Sequence, residues 1–217
     1  MLRQQTLIKW RIEFSSRIFM NKFSAQLLLV GLLVALFIVQ SLNLDFLEYR
    51  RATFVAEPWQ ALSHLLIHLN YQHLVLNASA LVAIYFLFDS AFESPFWFLA
   101  LLVSAVFSSC GLYFFSENVE WCQGMSGALH GLFVYAAIRA RAHWLWIIGL
   151  TLKIFFEQTP ALQNGLDLQI TSYLIKGDIV VDAHMWGALG GLAIVLLRSI
   201  PTLGTYAEIG RYNDQGK

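Results

Sequence analysis

The chain has 217 residues, 58% of them hydrophobic and only 13% charged, with 14 Lys and Arg set against 14 Asp and Glu. A composition this apolar excludes a soluble globular domain of the same size, and zero net charge without a basic stripe excludes a nucleic-acid binder. Several apolar runs approach the length of a bilayer span, so the sequence reads as a single-domain polytopic membrane protein.

Residues 1–22 are basic and amphipathic, with Arg3, Lys9, Arg11, Arg17 and Lys22, and read as a cytoplasmic lead-in near the headgroups. The apolar run after them is too long for a signal peptide and is followed by no small-residue cleavage site. Residues 23–200 are expected to hold six spans. The first covers 25–42. Residues 43–62 form a loop of mixed charge, in which Phe46 and Trp59 are expected to lie along the membrane. The second span covers 63–88 and carries His64, His68, His73 and Asn77 in its first half. Pro95 opens the third, which runs to 115. The fourth starts at Ser126 and stops near Arg139, about 13 residues or roughly 20 Å of helix. A bilayer core is roughly 30 Å thick, so this short helix is expected at the centre of the bundle. The fifth span covers 143–158 and contains Lys153 and Glu157, an i, i+4 pair. Residues 159–182 read as a polar loop, 183–200 as the sixth span, and 201–217 as a polar cytoplasmic tail.

Lys and Arg positions set the orientation. With the N-terminus inside, the inner side holds Arg3, Lys9, Arg11, Arg17, Lys22, Arg139, Arg141, Arg198, Arg211 and Lys217, and the outer side only Arg50, Arg51 and Lys176. Spans two, four and six then run from outside to inside, and each has its polar residues in its first half. Those residues therefore share one depth near the outer face, and polar groups inside spans are costly enough to mark function.

Ser126 lies in Gly124-Met125-Ser126-Gly127 at the start of a helix, where free N–H groups favour a developing negative charge. The plain alternative is a helix that begins with small residues for packing. Gly127-x-x-x-Gly131 and Gly187-x-x-x-Gly191 allow spans four and six to approach closely. If those faces meet, the Ser126 hydroxyl and the His184 imidazole come within hydrogen-bond reach, the condition for activating a serine. His73 and Asn77 are four apart on one face and offer N–H donors to an oxyanion, with the Ser126 N–H as a third. His64 and His68 are read as structural or entrance groups. Asp182 reads as a helix N-cap, with orientation of His184 as its lesser alternative. Few carboxylates accompany the histidines, and no metal or other cofactor is expected. Cys110 and Cys122 both fall near the outer face, where a bridge is open to them, although a buried free Cys is the commoner state.

With these residues in view, the chain resembles the rhomboid intramembrane serine proteases. The supporting stretches are His68-Leu69-Asn70-Tyr71-Gln72-His73-Leu74-Val75-Leu76-Asn77, Gly124-Met125-Ser126-Gly127, and Ala183-His184-Met185-Trp186-Gly187-Ala188-Leu189-Gly190-Gly191, in the family's order on spans two, four and six. The details are most like the rhombosortase branch: Gly-Met-Ser-Gly-Ala-Leu-His-Gly around the serine, Lys153 and Glu157 on span five, and Asp182-Ala-His-Met-Trp-Gly-Ala on span six. The resemblance implies an all-α, six-span bundle with a short central fourth helix and a Ser126–His184 dyad. It implies His73, Asn77 and Gly124 at the oxyanion, supported by His130, Gly127, Gly187 and Gly191. It further implies transmembrane protein substrates with a Gly-Gly-containing C-terminal anchor and a basic end, cleaved near the outer face of a bacterial inner membrane. The alternative is an inactive rhomboid-like protein that binds client transmembrane helices; such proteins usually lack the serine or the histidine, and this chain keeps both. A small transporter would need a polar path to the inner side, which the second halves of spans two, four and six do not offer. Two departures stand out. Many rhomboids have Tyr four residues after the serine, where this chain has His130, as rhombosortases do. Many have Trp-Arg in the first loop, where this chain has Trp59-Gln60, which leaves the anchoring of that loop open.

Overall fold

A computed structural model describes residues 2–159 and 166–199 of the chain. The expected tail at 201–217 lies outside the described residues. Helix α1 (Leu2–Leu42) runs without a break through both the basic lead-in and the first apolar run. The sequence before Gly31 contains neither glycine nor proline, so nothing interrupts the backbone hydrogen bonds there. Asn43 follows at φ 51°, the left-handed conformation that ends many helices and that Asn tolerates.

The first loop is built, not merely draped. Strand β1 (Tyr49–Arg50) pairs antiparallel with β2 (Trp121–Cys122), Tyr49 opposite Cys122 and Arg50 opposite Trp121. This two-residue ladder is the one departure from an all-helical chain among the described residues. Arg51 then reaches the end of α4 (Phe96–Phe115), donating to the carbonyls of Leu112 at 2.5 Å, Tyr113 at 2.8 Å, Ser116 at 2.6 Å and Val119 at 3.2 Å. The last carbonyls of a helix lack intrahelical donors, and a cation suits the negative end of the dipole. Gln60 is fully buried in the short α2 (Gln60–Ser63); its side chain accepts from the Arg50 N–H at 2.9 Å and donates to Thr53 Oγ1 at 2.9 Å. Arg51 and Gln60 together thus supply the anchoring that Trp59-Gln60 had left open. Phe46 and Trp59 stay exposed.

The expected second span is shorter than 63–88. Its helix is α3 (Tyr71–Leu87), because the Asn70 side chain caps it by accepting from the His73 N–H at 2.9 Å. His64 sits ahead of it in a 3-10 turn, and His68 in the link between turn and helix, so neither shares the helical face of His73 and Asn77. Helix α5 (Ser126–Arg139) has 14 residues and sits in the middle of the bundle, with Ala128, Leu132, Tyr135 and Ala136 inaccessible or nearly so. Helix α6 (Leu145–Gln158) follows. The stretch read as a polar loop contains a further helix, α7 (Leu166–Ile175), whose last carbonyl accepts from the Asn70 amide at 2.5 Å. Helix α8 (Val181–Ser199) begins before Asp182, which therefore lies inside the first helical turn and is not the N-cap expected for it. Its charge still suits the positive end of the helix dipole.

Helices α4, α5 and α8 form the centre, and small residues set their spacing. A Cβ on Gly187 would overlap the Gly127 carbonyl, and one on Gly191 would overlap the Gly131 carbonyl, so backbone meets backbone. Ser108 of α4 seals the same seam by donating to Ala183 O at 3.1 Å. Outward faces are apolar: Leu27, Val34 and Ile38 of α1, Phe86 of α3 and Phe155 of α6 are all exposed. Three helical segments are long and apolar enough to cross a bilayer: Lys22–Leu42, Phe96–Phe115 and Val181–Ser199. The 17 residues of α3 and the 14 each of α5 and α6 fall short of that length. The molecule is a helical membrane protein. Cys110 and Cys122 are both free thiols, and burial, with Glu48 nearby, pushes the Cys122 thiol up to about 12.

Candidate active site

Gly124 begins the site. It has φ +101°, a backbone conformation open to glycine, and its N–H donates to His64 O at 3.0 Å. A Cβ here would meet His73 Cε1 at 2.6 Å, His73 Nε2 at 2.9 Å and Asn77 Nδ2 at 3.3 Å. The imidazole and the amide of α3 therefore lie against the bare Cα just ahead of Ser126. Ser126 is the first residue of α5, so its N–H has no acceptor within the helix. Asn77 is 5% exposed, and its side-chain amide nitrogen is buried with no partner among the described residues. An unspent buried donor is costly unless something else satisfies it.

His184 stands in the first turn of α8, and the glycine seam brings it to α5. Its Nε2 lies 3.1 Å from Ser126 Oγ, and its Nδ1 lies 3.0 Å from Glu157 Oε2 of α6. Asp182 is not the partner of that imidazole. The other oxygen of Glu157 takes the Lys153 ammonium, one helical turn away on α6. His130, also on α5, stacks its ring on His184 with centroids 4.0 Å apart and planes 14° from parallel, while its Nδ1 donates to Ser126 O at 2.8 Å. Tyr in that position offers the same flat face, which explains how a histidine can stand there.

Not every polar residue of the sequence joins this group. His64 Nδ1 donates to Gln60 O at 2.9 Å with Ser109 Oγ 3.2 Å away, and the His64 carbonyl holds the Gly124 turn. His68 is buried with its ring edge-on to His73 at 5.1 Å, and neither of its nitrogens has a partner among the described residues. Sequence reasoning left Glu157 without a role at this site. The available signal was an ionisable pair inside an apolar span, which points to a polar partner but does not name it.

A cleft of about 660 Å³ reaches this group and is lined by His73, Asn77, Ser126, His130, Glu157 and His184. That volume suits an extended peptide segment or a small ligand. Donor atoms of His130, Glu157 and His184 lie within 4.8 Å of one another, close enough to suggest a metal. Stacked rings, however, keep their in-plane lone pairs in two nearly parallel planes, with centroids 4.0 Å apart, which does not aim them at a common point. Glu157 is also already engaged by Lys153 and His184. Chemically, a hydroxyl beside an imidazole nitrogen can give up its proton as it attacks a carbonyl, and nearby free N–H donors suit the oxyanion that results. Cys122 lines the same cleft, but a thiol held so far from ionisation is a poor nucleophile.

Comparison with curated proteins gives no match. The Rhomboid family, by its Rhomboid domain, matches residues 55–200, which hold every residue of the cleft and the seam between α5 and α8. On that match, which spans more than half of its length, the chain belongs to the rhomboid family.

Proposed function

We propose that the protein is an intramembrane serine endopeptidase in which Ser126 is the nucleophile and His184 its base. Members of this family are typically serine proteases that act within the membrane. The observation that carries the reading for this chain is the 3.1 Å approach of Ser126 Oγ to His184 Nε2. A protein that only holds client helices has no need of such a pair.

In this mechanism Ser126 Oγ attacks a peptide carbonyl carbon while its proton passes to His184 Nε2. The negative charge on the carbonyl oxygen is met by His73, Asn77 and the Ser126 N–H, with Gly124 leaving them room. The tetrahedral intermediate collapses, the C–N bond breaks, and His184 returns the proton to the leaving amine. Water, deprotonated by His184, then attacks the acyl-enzyme, and Ser126 recovers its proton. A transmembrane substrate has its carbonyls tied up in helical hydrogen bonds, so the scissile segment must unwind first. Glycine lowers that cost. This favours the rhombosortase-like substrate class, proteins tethered by a Gly-Gly-containing C-terminal anchor. The proposed setting is a bacterial inner membrane, with six spans, both ends cytoplasmic and the cleft toward the exterior.

Labelling of the purified protein with a fluorophosphonate probe tests the reading. The wild-type chain is expected to label, and Ser126→Ala and His184→Ala are not. Equal labelling of Ser126→Ala would remove Ser126 as the nucleophile, and a wild-type chain that never labels would favour a helix-binding protein.

A further inference from the structure

Helix α6 buries the wrong kind of residue for a membrane helix. Glu157 is its one buried residue, 1% exposed, while Ile148, Leu152, Phe155 and Phe156 of the same helix face outward. A buried carboxylate is tolerated only where its lone pairs are met. Here one oxygen meets Lys153 and the other lies 3.0 Å from His184 Nδ1.

A carboxylate accepts hydrogen bonds and does not donate them. Its position therefore requires the imidazole proton on Nδ1, which leaves the lone pair on Nε2, the atom facing Ser126 Oγ. Without this contact a neutral imidazole is free to carry its proton on Nε2 instead and would donate to the hydroxyl, the tautomer that cannot take its proton. The same carboxylate stabilises the imidazolium formed on attack. The His130 ring covers one face of His184 and limits rotation of the plane. Lys153 occupies the second oxygen and holds the carboxylate in place.

Resting on the reading that Ser126 attacks with His184 as its base, we infer that Glu157, clamped by Lys153, is a positioning residue that makes the pair a Ser126–His184–Glu157 triad. The third member is delivered by α6 and not by Asp182 beside the histidine. Correct orientation of the base thus depends on α6 being docked against α8, a contact reinforced by Gln158 Nε2 donating to Val181 O at 3.1 Å.

The test compares full-length Glu157→Gln and Glu157→Asp with wild type and Ser126→Ala in bilayers. The readouts are the fluorophosphonate labelling rate, kcat and KM on a transmembrane reporter with a glycine-containing anchor, and thermal unfolding. Glu157→Gln is expected to lower kcat and the labelling rate by on the order of 10³- to 10⁴-fold, as loss of the orienting carboxylate does in serine proteases, with KM unchanged. Glu157→Asp, which keeps the acceptor, is expected to recover at least a tenth of the wild-type rate. A Glu157→Gln enzyme with wild-type kcat overturns the inference. So does an equal loss in both variants accompanied by a lower unfolding temperature, since that identifies the pair as a staple between helices. If either result comes with a silent Ser126→Ala, the nucleophile assignment survives and only the triad fails. Cleavage and labelling that persist in Ser126→Ala remove the foundation instead.

Discussion

Asn77 illustrates what one amide contributes at this site. It is a full helix away in sequence from Ser126, yet the four-residue spacing from His73 brings both to the Gly124 turn. Its nitrogen is buried and unpartnered among the described residues, and the proposed oxyanion would supply the acceptor it lacks. Asn77→Ala is expected to lower kcat by about 10- to 1000-fold while leaving expression and unfolding near wild type. Wild-type kcat in that variant would remove Asn77 from the oxyanion. At this scale the sequence was informative where chemistry and spacing coincide: a serine between glycines, a histidine ahead of a glycine pair, and two donors on one helical face. It marked Glu157 as half of a pair with Lys153 and gave it no partner at the site. An i, i+4 Lys–Glu pair satisfies itself on paper, and nothing local says that its second oxygen faces a ring 27 residues onward.

Among the elements, the α5–α8 seam determines whether the site exists. Gly187 meets the Gly127 carbonyl directly, so a larger side chain must push the helices apart. Gly187→Val is expected to cost about 1–3 kcal/mol, as overpacking does, and to abolish fluorophosphonate labelling by separating Ser126 from His184. Gly149 is the contrasting case, on the outward side of α6, where a Cβ would meet nothing within 4 Å. Gly149→Ala should therefore label normally and gain about 0.5–1 kcal/mol from helix propensity. A normally labelling Gly187→Val protein would show that the seam does not set the distance. Helix starts marked by a local device were legible, as at Pro95 and Ser126. The start of α3 was misread because Asn70 looks like one more polar residue in a histidine-rich run until its side chain is seen capping the helix. The β1–β2 ladder left no periodic trace, since two residues are too few to alternate.

For the whole molecule, the proposed six-span arrangement makes a separate prediction. Reporter domains fused within 89–95 or 140–144 should be active only in the cytoplasm, and those within 43–59 or 116–120 only outside. An inverted pattern would reverse the proposed orientation of the cleft. The short α5 fits such an arrangement because it is packed in the middle of the bundle, whereas α6 leaves most of its surface outward. With 14 residues each they extend only about 21 Å.

The amino-acid sequence by itself determined that the chain is a helical membrane protein, which helices pack through small residues, and which side chains have chemistry to offer. Those properties follow from hydropathy and from periodicity along one helix, both local quantities. Only the tertiary structure decided that a carboxylate of α6 faces His184, that Arg51 and Gln60 lock the first loop to the end of α4, and that the His64 carbonyl holds the Gly124 turn. Each of these joins groups that are remote in sequence or share no helical face, and the geometry of such contacts is set by how whole helices dock.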